Sequence, residues 1–254
     1  METVSQNVLV ATAVVIGSLL IMVGLNELWP VGLRRNSNDL IGWQLTILGT
    51  TYAVILGFML YTVWTKYGEA DLNVDHEANA VANIYHLAGG LPEPQRGQLQ
   101  RLAREYAETA VNRDWPQMAS GEEPTQTDSV NSEMWNSVMS VRSTLGAEQT
   151  AADHEISELR SLAQYRLTRL SQSTTRLPNV LWCVLIVGGA LTIVSACTLG
   201  IENGKLQAVE VFCLSLLIGL SLIAVADIHR PFRGLVHVRN YAFQRALQSM
   251  KTKN

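Results

Sequence analysis

The sequence has little charge, little cysteine and no motif typical of an enzyme site, and each shortage narrows the possibilities. Asp, Glu, Lys and Arg make up only 16% of the 254 residues, whereas soluble domains average about 25%. The three cysteines, Cys183, Cys197 and Cys213, lie in uncharged stretches. Their odd number predicts neither a disulfide framework nor a metal site, and we expect all three to be buried as small apolar residues.

Charge is missing above all from four long stretches of the chain. Residues 3–26, 40–65 and 177–201 contain no charged side chain, and residues 206–226 contain only Glu210. A helix of about 20 apolar residues crosses the ~30 Å hydrocarbon layer of a membrane. We therefore predict an all-α membrane protein with four transmembrane helices, at about residues 5–26, 41–65, 178–200 and 206–226.

These spans divide the chain into four parts. Residues 1–65 form a first transmembrane hairpin, 66–176 a helical cytoplasmic domain, 177–228 a second transmembrane hairpin, and 229–254 a basic cytoplasmic tail. The N-terminal sequence METVSQN has one acid and no base, so we interpret the first span as a retained anchor and not as a cleaved signal peptide. Lys and Arg near the span ends are more numerous on the side of both termini and the central domain, which predicts that this side is cytoplasmic.

The central domain is predicted to be helical throughout. Apolar residues recur with a period near 3.6 from the second span to Gly89-Gly90, which predicts one rod of roughly 45 residues. A second helix is expected to begin at Pro94 and to end before Trp115-Pro116. Two more helices, at about residues 130–145 and 152–174, follow a loop.

Catalytic and metal-binding motifs are nearly absent. The sequence contains no Gly-rich phosphate loop and no nucleophile elbow. Asp-His-Glu occurs at residues 75–77 and 153–155 without a second histidine four residues on, so we interpret both as chance patterns on solvated helices. The basic face with Arg160, Arg166, Arg169 and Arg176 is typical of an anchor to anionic lipid. We predict no enzyme activity, no cofactor, no metal and no nucleic-acid partner.

The second span carries two stripes of distinct chemistry. Gly49, Ala53 and Gly57 recur every four residues, a spacing that allows close contact between helices. About 100° around the helix runs a second stripe of hydroxyl, aromatic and aliphatic residues: Thr50, Val54, Phe58, Tyr61 and Thr65. Either both stripes pack against other helices, or the second lines a pore whose hydroxyls replace part of an ion's hydration. A pore would need several copies of the chain around one axis.

Charges at the two ends of this span bear on ion selectivity. Arg34 and Arg35 at the outer mouth would favour anions. Four acids just beyond the inner end would make an inner vestibule negative if they face the axis: Glu69, Asp71, Asp75 and Glu77. Glu210 lies one turn inside the outer end of the fourth span, where its side chain is expected to reach the interface.

The chain leaves the fourth span through DIHRPFRG, residues 227–234. The residues assigned to this cytoplasmic exit turn are Asp227, His229, Arg230, Pro231 and Phe232. Pro231 is expected to end the helix, Phe232 to anchor at the membrane interface, and Gly234 to permit a tight turn. Asp227 is placed to pair with Arg230, three residues on.

The chain resembles a bestrophin-like family of bacterial membrane proteins catalogued as a domain of unknown function, over about residues 45–245. The residues that carry the resemblance are Tyr52-Ala53, Leu56-Gly57-Phe58, Trp64, Tyr67, Ala70, Glu77-Ala78, Tyr85, Leu91-Pro92, Tyr106, Trp115-Pro116, Met118, Gly121, Arg169-Leu170, Leu177-Pro178, Leu181-Trp182, Arg230-Pro231-Phe232, Gly234 and Val238. His229 departs from the acid that the family commonly has before Arg-Pro-Phe; a histidine there could titrate near neutral pH.

The remoter resemblance to bestrophins implies four spans, a pentamer and an anion pore lined by the second span. The acidic calcium-binding run of animal bestrophins is missing, since RGLVHVRNY (residues 233–241) is basic. We therefore expect an oligomeric ion channel of the bacterial inner membrane, with lipid and monovalent ions as partners and anion conduction slightly favoured. A cation channel of the same architecture, or a non-conducting scaffold or sensor that binds a cytoplasmic protein, remains the alternative.

Overall fold

The computed structural model describes residues 2–251, with side chains from residue 4 onward, and the described chain is helical without strands. Its α-helices are α1 (Glu2–Leu28), α2 (Val31–Arg34), α3 (Asn38–Leu87), α4 (Gln95–Thr109), α5 (Trp115–Ser120), α6 (Thr127–Met139), α7 (Gly146–Thr174), α8 (Asn179–Cys197), α9 (Gly204–Ile228) and α10 (Tyr241–Lys251). Single 3₁₀ turns follow α2 and α3, and a π-helical turn joins α4 to α5.

The chain divides into two compact units. The first unit comprises residues up to Thr65 together with Arg176–His229, and the second comprises Lys66–Thr175 together with the residues from Arg230 onward. By length and composition, α1, α3, α8 and α9 could each cross a membrane. The predicted spans thus correspond to four long apolar helices.

The core of the first unit forms where α1 and α8 pack along α9 and the Tyr52 ring of α3 lies on α8. A Cβ atom added at Gly188 would lie 2.8 Å from Cδ2 of Tyr52. The two consecutive glycines of α8, Gly188 and Gly189, therefore let the tyrosine ring rest directly on the helix backbone.

Two of the three cysteines are not where we expected them. Cys197 is fully buried, but Cys183 and Cys213 are exposed on the surfaces of α8 and α9. Apolar helices of this unit have outward faces as apolar as their inward faces, so an uncharged neighbourhood does not indicate on which face a cysteine lies. The prediction of burial is wrong for these two.

The rod predicted from the second span is confirmed. Helix α3 runs through 50 residues without interruption and ends in the 3₁₀ turn Ala88–Gly90, where paired glycines replace helix-forming residues. Helices α6 and α7 begin earlier than expected, at Thr127 and Gly146.

The expected helix end before Trp115-Pro116 is wrong. The chain continues from α4 through the π-helical turn Ala110–Asp114 into α5. Pro116 lies in the first turn of α5, where its missing N–H leaves no additional unsatisfied group. The extra residue of a π-helical turn lets the chain accommodate this proline without leaving the helix. Helix α5 ends at Ser120 and is followed by Gly121, whose φ of 87° favours glycine.

The segment predicted as a basic tail instead completes the second unit. Helix α10 buries Ala242, Phe243, Ala246 and Met250 in the core that α3, α4, α6 and α7 also supply. The Phe243 ring lies 5.5 Å from the Trp115 ring. The spacing of these four residues places them on one apolar face of the helix. Composition alone did not indicate this face, because basic residues neighbour it.

Candidate functional site

The stripe proposed to line a pore is exposed along its whole length on the single chain. Thr50, Val54, Phe58, Tyr61 and Thr65 all lie on the open face of α3, and Phe58 and Tyr61 are 68% and 70% exposed. The opposite face of the same helix is buried in the first unit, through residues such as Tyr52, Met59 and Val63. Within the first unit, α3 therefore packs on one side only.

The small-residue stripe is likewise unused within the chain. A Cβ atom added at Gly49 or Gly57 would meet no atom within 4 Å, and Ala53 is exposed. Close helix contact, which this spacing allows, is therefore not made with another helix in the part of the chain that the structure describes.

Arg34 is buried, in contrast to its predicted place at an open outer mouth. Its side chain is fully buried, with Nη1 donating to the carbonyl of Cys197 at 3.0 Å and Nη2 to Oδ1 of Asn26. Arg35 is exposed, but it forms an ion pair with Glu202. The charge of Arg34 is thus used inside the first unit, and that of Arg35 is countered on the surface.

Arg34 belongs to a buried polar cluster that the sequence did not reveal. Nδ2 of Asn26 donates to Oε1 of Gln207 at 3.1 Å, and Nε2 of Gln207 donates to the carbonyls of Cys197 and Leu199. The cluster ties α1 and α2 to the connection between α8 and α9. Amide side chains inside otherwise apolar spans were the available signal, because such groups seek partners.

The four acids that follow the stripe along α3 differ in exposure. Glu69 and Asp71 are exposed. The carboxylate of Asp75 accepts from Nη2 of Arg245 at 2.8 Å in an exposed pair. Glu77 is fully buried, so the structure corrects its assignment to a vestibule: its carboxylate is an interior group of the second unit.

Glu77 is held in a buried ionic network with Arg169. Nε and Nη2 of Arg169 donate to the two carboxylate oxygens of Glu77 at 2.7 and 3.0 Å, and Nη2 also donates to Oδ2 of Asp114 at 3.0 Å. The Tyr106 hydroxyl donates to Glu77 at 2.7 Å. The Trp115 ring lies 5.4 Å from Cζ of Arg169, within the range of a cation–π interaction.

Burial and neighbouring charges determine the protonation states of Arg169 and Tyr106. Burial would lower the pKa of Arg169, but the charges of Glu77 and Asp114 outweigh burial and raise it above its usual value. Burial, together with the Glu77 carboxylate, raises the pKa of the Tyr106 hydroxyl well above its usual value. Arg169 is therefore a permanent cation and Tyr106 a permanent donor, an arrangement that orders the interior.

Two of the four arginines of the predicted basic face, Arg166 and Arg169, are buried, which corrects their interpretation as lipid anchors. Arg166 is almost fully buried, where Nε donates to the Thr127 hydroxyl at 2.8 Å and Nη1 pairs with Asp128 at 2.8 Å. The Thr127 hydroxyl in turn donates to Asp114 at 2.9 Å. Arg160, and Arg176 just beyond the end of α7, remain exposed. Two arginines of this face thus hold α7 to its neighbours.

The predicted residues of the exit turn lie at the end of α9 and directly after it. Helix α9 ends at Ile228, and the His229 ring stacks edge-to-face on Trp182 at 5.6 Å. In the second unit, Gly234 has the positive φ, 95°, that a tight turn requires. Phe232 is buried against Trp115, with ring centres 6.0 Å apart, so its assignment as a membrane anchor is wrong. Asp227 is half-buried and Arg230 exposed.

Glu155 is a buried carboxyl group without a hydrogen-bond partner among the described residues. Burial, with a smaller contribution from Glu158, raises the pKa of Glu155 to about 8. Asp153 and His154, the other members of its Asp-His-Glu sequence, are exposed. Within residues 2–251 no group of three His, Cys, Asp or Glu side chains is arranged to hold a metal. Glu210 is exposed on α9.

The fold and these residues belong to a known family. Residues 12–243 match the Bestrophin-like domain, and the chain is a member of that family. The comparison with curated proteins gives no significant match.

Solved structures share the fold of nearly the whole chain. Two crystal structures of a bacterial bestrophin homologue from Klebsiella pneumoniae superpose with TM-scores of 0.70 and 0.71. Each is 12% identical, and the match covers 96% of this chain and 99% or 97% of the other. A further structure, described as a membrane protein, gives a TM-score of 0.71 at 12% identity over 97% of both chains. The shared fold extends well beyond what sequence identity would indicate.

Proposed function

We propose that the chain forms an oligomeric ion channel whose pore is lined by the exposed stripe of α3. The observation that carries the proposal is the two-sided character of α3 in the first unit: one face is buried, while Thr50, Val54, Phe58, Tyr61 and Thr65 are exposed. Copies of the chain arranged around an axis would turn this stripe toward a common passage. The bestrophin fold is consistent with this arrangement.

The stripe has the chemistry that a selective passage needs. The Thr50 and Thr65 hydroxyls and the Tyr61 hydroxyl can replace water around an ion, while Val54 and Phe58 supply an apolar constriction that closes by dewetting. The neighbouring small residues Gly49 and Gly57 leave room for a second copy of α3 to approach. We propose a ring of identical subunits, five by resemblance to bestrophins.

The charges around the stripe favour cations over anions. Resemblance alone favours anion conduction, and the sequence argument for it rested on Arg34 and Arg35. Arg34 is buried and Arg35 is paired with Glu202, which weakens that argument. Glu69 and Asp71 remain exposed further along α3, and exposed carboxylates near a passage concentrate cations.

The proposed setting is the bacterial inner membrane. The four long apolar helices would span it, with lipid as their partner. The second unit and both termini would lie in the cytoplasm, because basic residues near the span ends are more numerous on that side. We propose a conducting role and no enzymatic one.

Ion flux through the purified protein tests the proposal directly. Liposomes that contain the protein are given a KCl gradient, for which the equilibrium potentials of potassium and chloride have opposite signs, so the sign of the zero-current potential identifies the permeant ion. We expect a conductance that protein-free liposomes lack, and a zero-current potential whose sign is that of the potassium equilibrium potential. A chloride potential would overturn the cation assignment alone. Absence of flux from a correctly assembled oligomer would overturn the channel and favour the non-conducting scaffold.

Cysteine labelling tests which face of α3 meets water. In a background of Cys183→Ser, Cys197→Ala and Cys213→Ser, a cysteine at Val54 is expected to react with a charged aqueous thiol reagent. A cysteine at Met59, on the buried face, is the control and is expected to stay protected. Protection at both positions would indicate that the stripe packs against other helices and does not line a pore.

A further inference from the structure

The second unit contains a cavity whose wall includes none of the stripe residues Thr50, Val54, Phe58, Tyr61 and Thr65. It has a volume of about 510 Å³ and opens between the α3 residues that follow Lys66 and the segment that ends in α10. Small-molecule sites in proteins commonly measure about 300–1,000 Å³. Its walls carry charge of both signs: Asp71 and Asp75 on α3, and Arg239 and Arg245 on the facing segment.

Of these four charged residues, two form an ion pair with each other and two do not. Asp75 and Arg245 pair with each other at 2.8 Å. Asp71 and Arg239 form no ion pair within 4 Å with any residue that the structure describes. Arg239 is held by Tyr241, since its Nη1 donates to the Tyr241 hydroxyl at 2.9 Å and its Cζ lies 5.6 Å from the ring. One carboxylate and one guanidinium therefore remain available in a single cavity.

The pattern of charge determines what the cavity can accept. A simple anion would be attracted by Arg239 but would meet the carboxylates of Asp71 and Asp75. A simple cation would be attracted by these carboxylates but would meet two guanidinium groups. A molecule with an ammonium group and a carboxylate satisfies both walls, and its charge-assisted hydrogen bonds are the stronger kind.

The apolar part of such a molecule also finds a partner. The rings of Tyr67 and Tyr241 belong to the cavity wall, one from each side. Aromatic faces bind apolar and aromatic groups at little conformational cost. The wall therefore combines two opposite charges with two aromatic surfaces.

We propose that this cavity binds a small zwitterion of the amino-acid class, with its carboxylate on Arg239, its ammonium group on Asp71 and its side chain against Tyr67 and Tyr241. The proposal does not depend on ion conduction. Because Asp71 and Asp75 also belong to the proposed vestibule, binding has to be measured directly and not through flux.

A second cavity provides the comparison. It measures about 500 Å³ and includes Arg101, Arg104 and Glu105 of α4. There Arg104 is already committed, because its Nη2 donates to the Tyr85 hydroxyl at 2.6 Å and to the Met250 carbonyl at 2.9 Å. Substitutions at this cavity serve as controls of equal charge.

The test is calorimetric titration of the purified full-length protein with L-phenylalanine and with two analogues that each lack one charge. The analogues are 3-phenylpropanoate, without the ammonium group, and phenethylamine, without the carboxylate. We expect L-phenylalanine to bind at least tenfold more tightly than either analogue. Equal binding of 3-phenylpropanoate would make the cavity an anion site, and no binding of any of the three at 10 mM (roughly the weakest useful affinity) would remove the site; both results overturn the proposal.

Variants locate the binding. Asp71→Asn and Arg239→Gln are each expected to weaken L-phenylalanine binding at least tenfold, and Arg239→Lys less so because it keeps the charge. Glu69→Gln, on the same helix but outside the cavity wall, and Arg101→Gln, in the second cavity, are expected to bind as the parent protein does. Thermal unfolding identifies any variant that fails to fold. Undiminished binding by folded Asp71→Asn and Arg239→Gln would place the ligand elsewhere and overturn the assignment.

Discussion

The guanidinium of Arg169 is enclosed by Glu77, Asp114 and the indole of Trp115 in the second unit. If Arg169 is replaced by Met, the two carboxylates are left buried without their cation. Removal of one member of a buried pair typically costs about 3–5 kcal/mol. We expect Arg169→Met to lower the free energy of unfolding by about that amount, measured by chemical denaturation of the purified protein.

Arg160 on the same helix provides the matched control. It is exposed, and surface charges contribute about 0–1 kcal/mol, so Arg160→Met is expected to change stability little. Arg169→Lys should fall between the two, because it keeps the charge and loses the two-pronged geometry. Equal stability of Arg169→Met and the parent protein would contradict the structural role of the network.

Glu155 makes stability depend on pH in a defined direction. Its pKa is raised from 4.5 to about 8 by burial, so the folded chain keeps a proton that the unfolded chain releases. The unfolded state then binds fewer protons between these values, and the contribution of Glu155 to stability falls as pH rises from about 4.5 to about 8. Glu155→Gln removes this titration and is expected to stabilise the protein at pH 8, by about 1–3 kcal/mol.

Denaturation at pH 5 and pH 8 measures this effect. The difference in stability between the two pH values should be smaller in Glu155→Gln than in the parent protein. Asp153→Asn, an exposed acid on the same helix, is the control and should leave the difference unchanged. An identical pH dependence in parent and Glu155→Gln would show that the carboxyl group is ionised in the fold.

At the scale of single residues, burial of charge was the least predictable property. Glu77 and Arg169 are 92 positions apart in the sequence, and each stands among charged neighbours on an amphipathic helix. Only the packing of α3 against α7 shows which charges of those helices turn inward. The residues that carry the family resemblance include both, together with Tyr106 and Trp115, and the structure shows that these form the core of the second unit and not a solvent-exposed site.

At the scale of elements, apolar length and periodicity predicted the four long apolar helices and the rod of α3. They failed where a helix is short or irregular. The π-helical turn before Trp115 depends on how Asp114 and Trp115 are drawn into the interior, which no local pattern specifies. Helix α10 escaped notice because basic residues surround its four buried positions.

Helix α10 is expected to be essential to the second unit. Phe243 is fully buried and contacts the rings of Tyr106 and Trp115. Truncation of a buried phenylalanine to alanine costs about 3–5 kcal/mol. We expect Phe243→Ala to lose about that much stability and to make the segment before α10 sensitive to limited proteolysis.

The control for this helix is Gln244→Ala, next to Phe243 but exposed. It should melt and resist protease as the parent protein does. A chain shortened before Tyr241 that unfolds at the parent temperature would contradict the view that α10 completes the core.

At the scale of the whole molecule, the sequence could indicate the family but not how one copy meets another. The exposed stripe of α3 continues the same apolar and hydroxyl chemistry that its buried face uses for packing. A pattern of this kind is compatible with lipid, a neighbouring subunit or water. Residue identities on one helix cannot choose among the three, because that choice is made by the assembly.

Phe58 offers a test of the assembly as a passage. Its ring is 68% exposed at the centre of the stripe, and several copies around an axis would bring these rings together as an apolar constriction. Phe58→Ala widens and wets such a constriction, so we expect potassium flux through reconstituted protein to increase at least several-fold. Phe212→Ala is the matched control, since Phe212 is an exposed ring on α9 and lies outside the stripe. Unchanged flux in a Phe58→Ala oligomer of parental size would exclude Phe58 as the constriction, whereas increased flux in both variants would indicate a general leak caused by loosened helices.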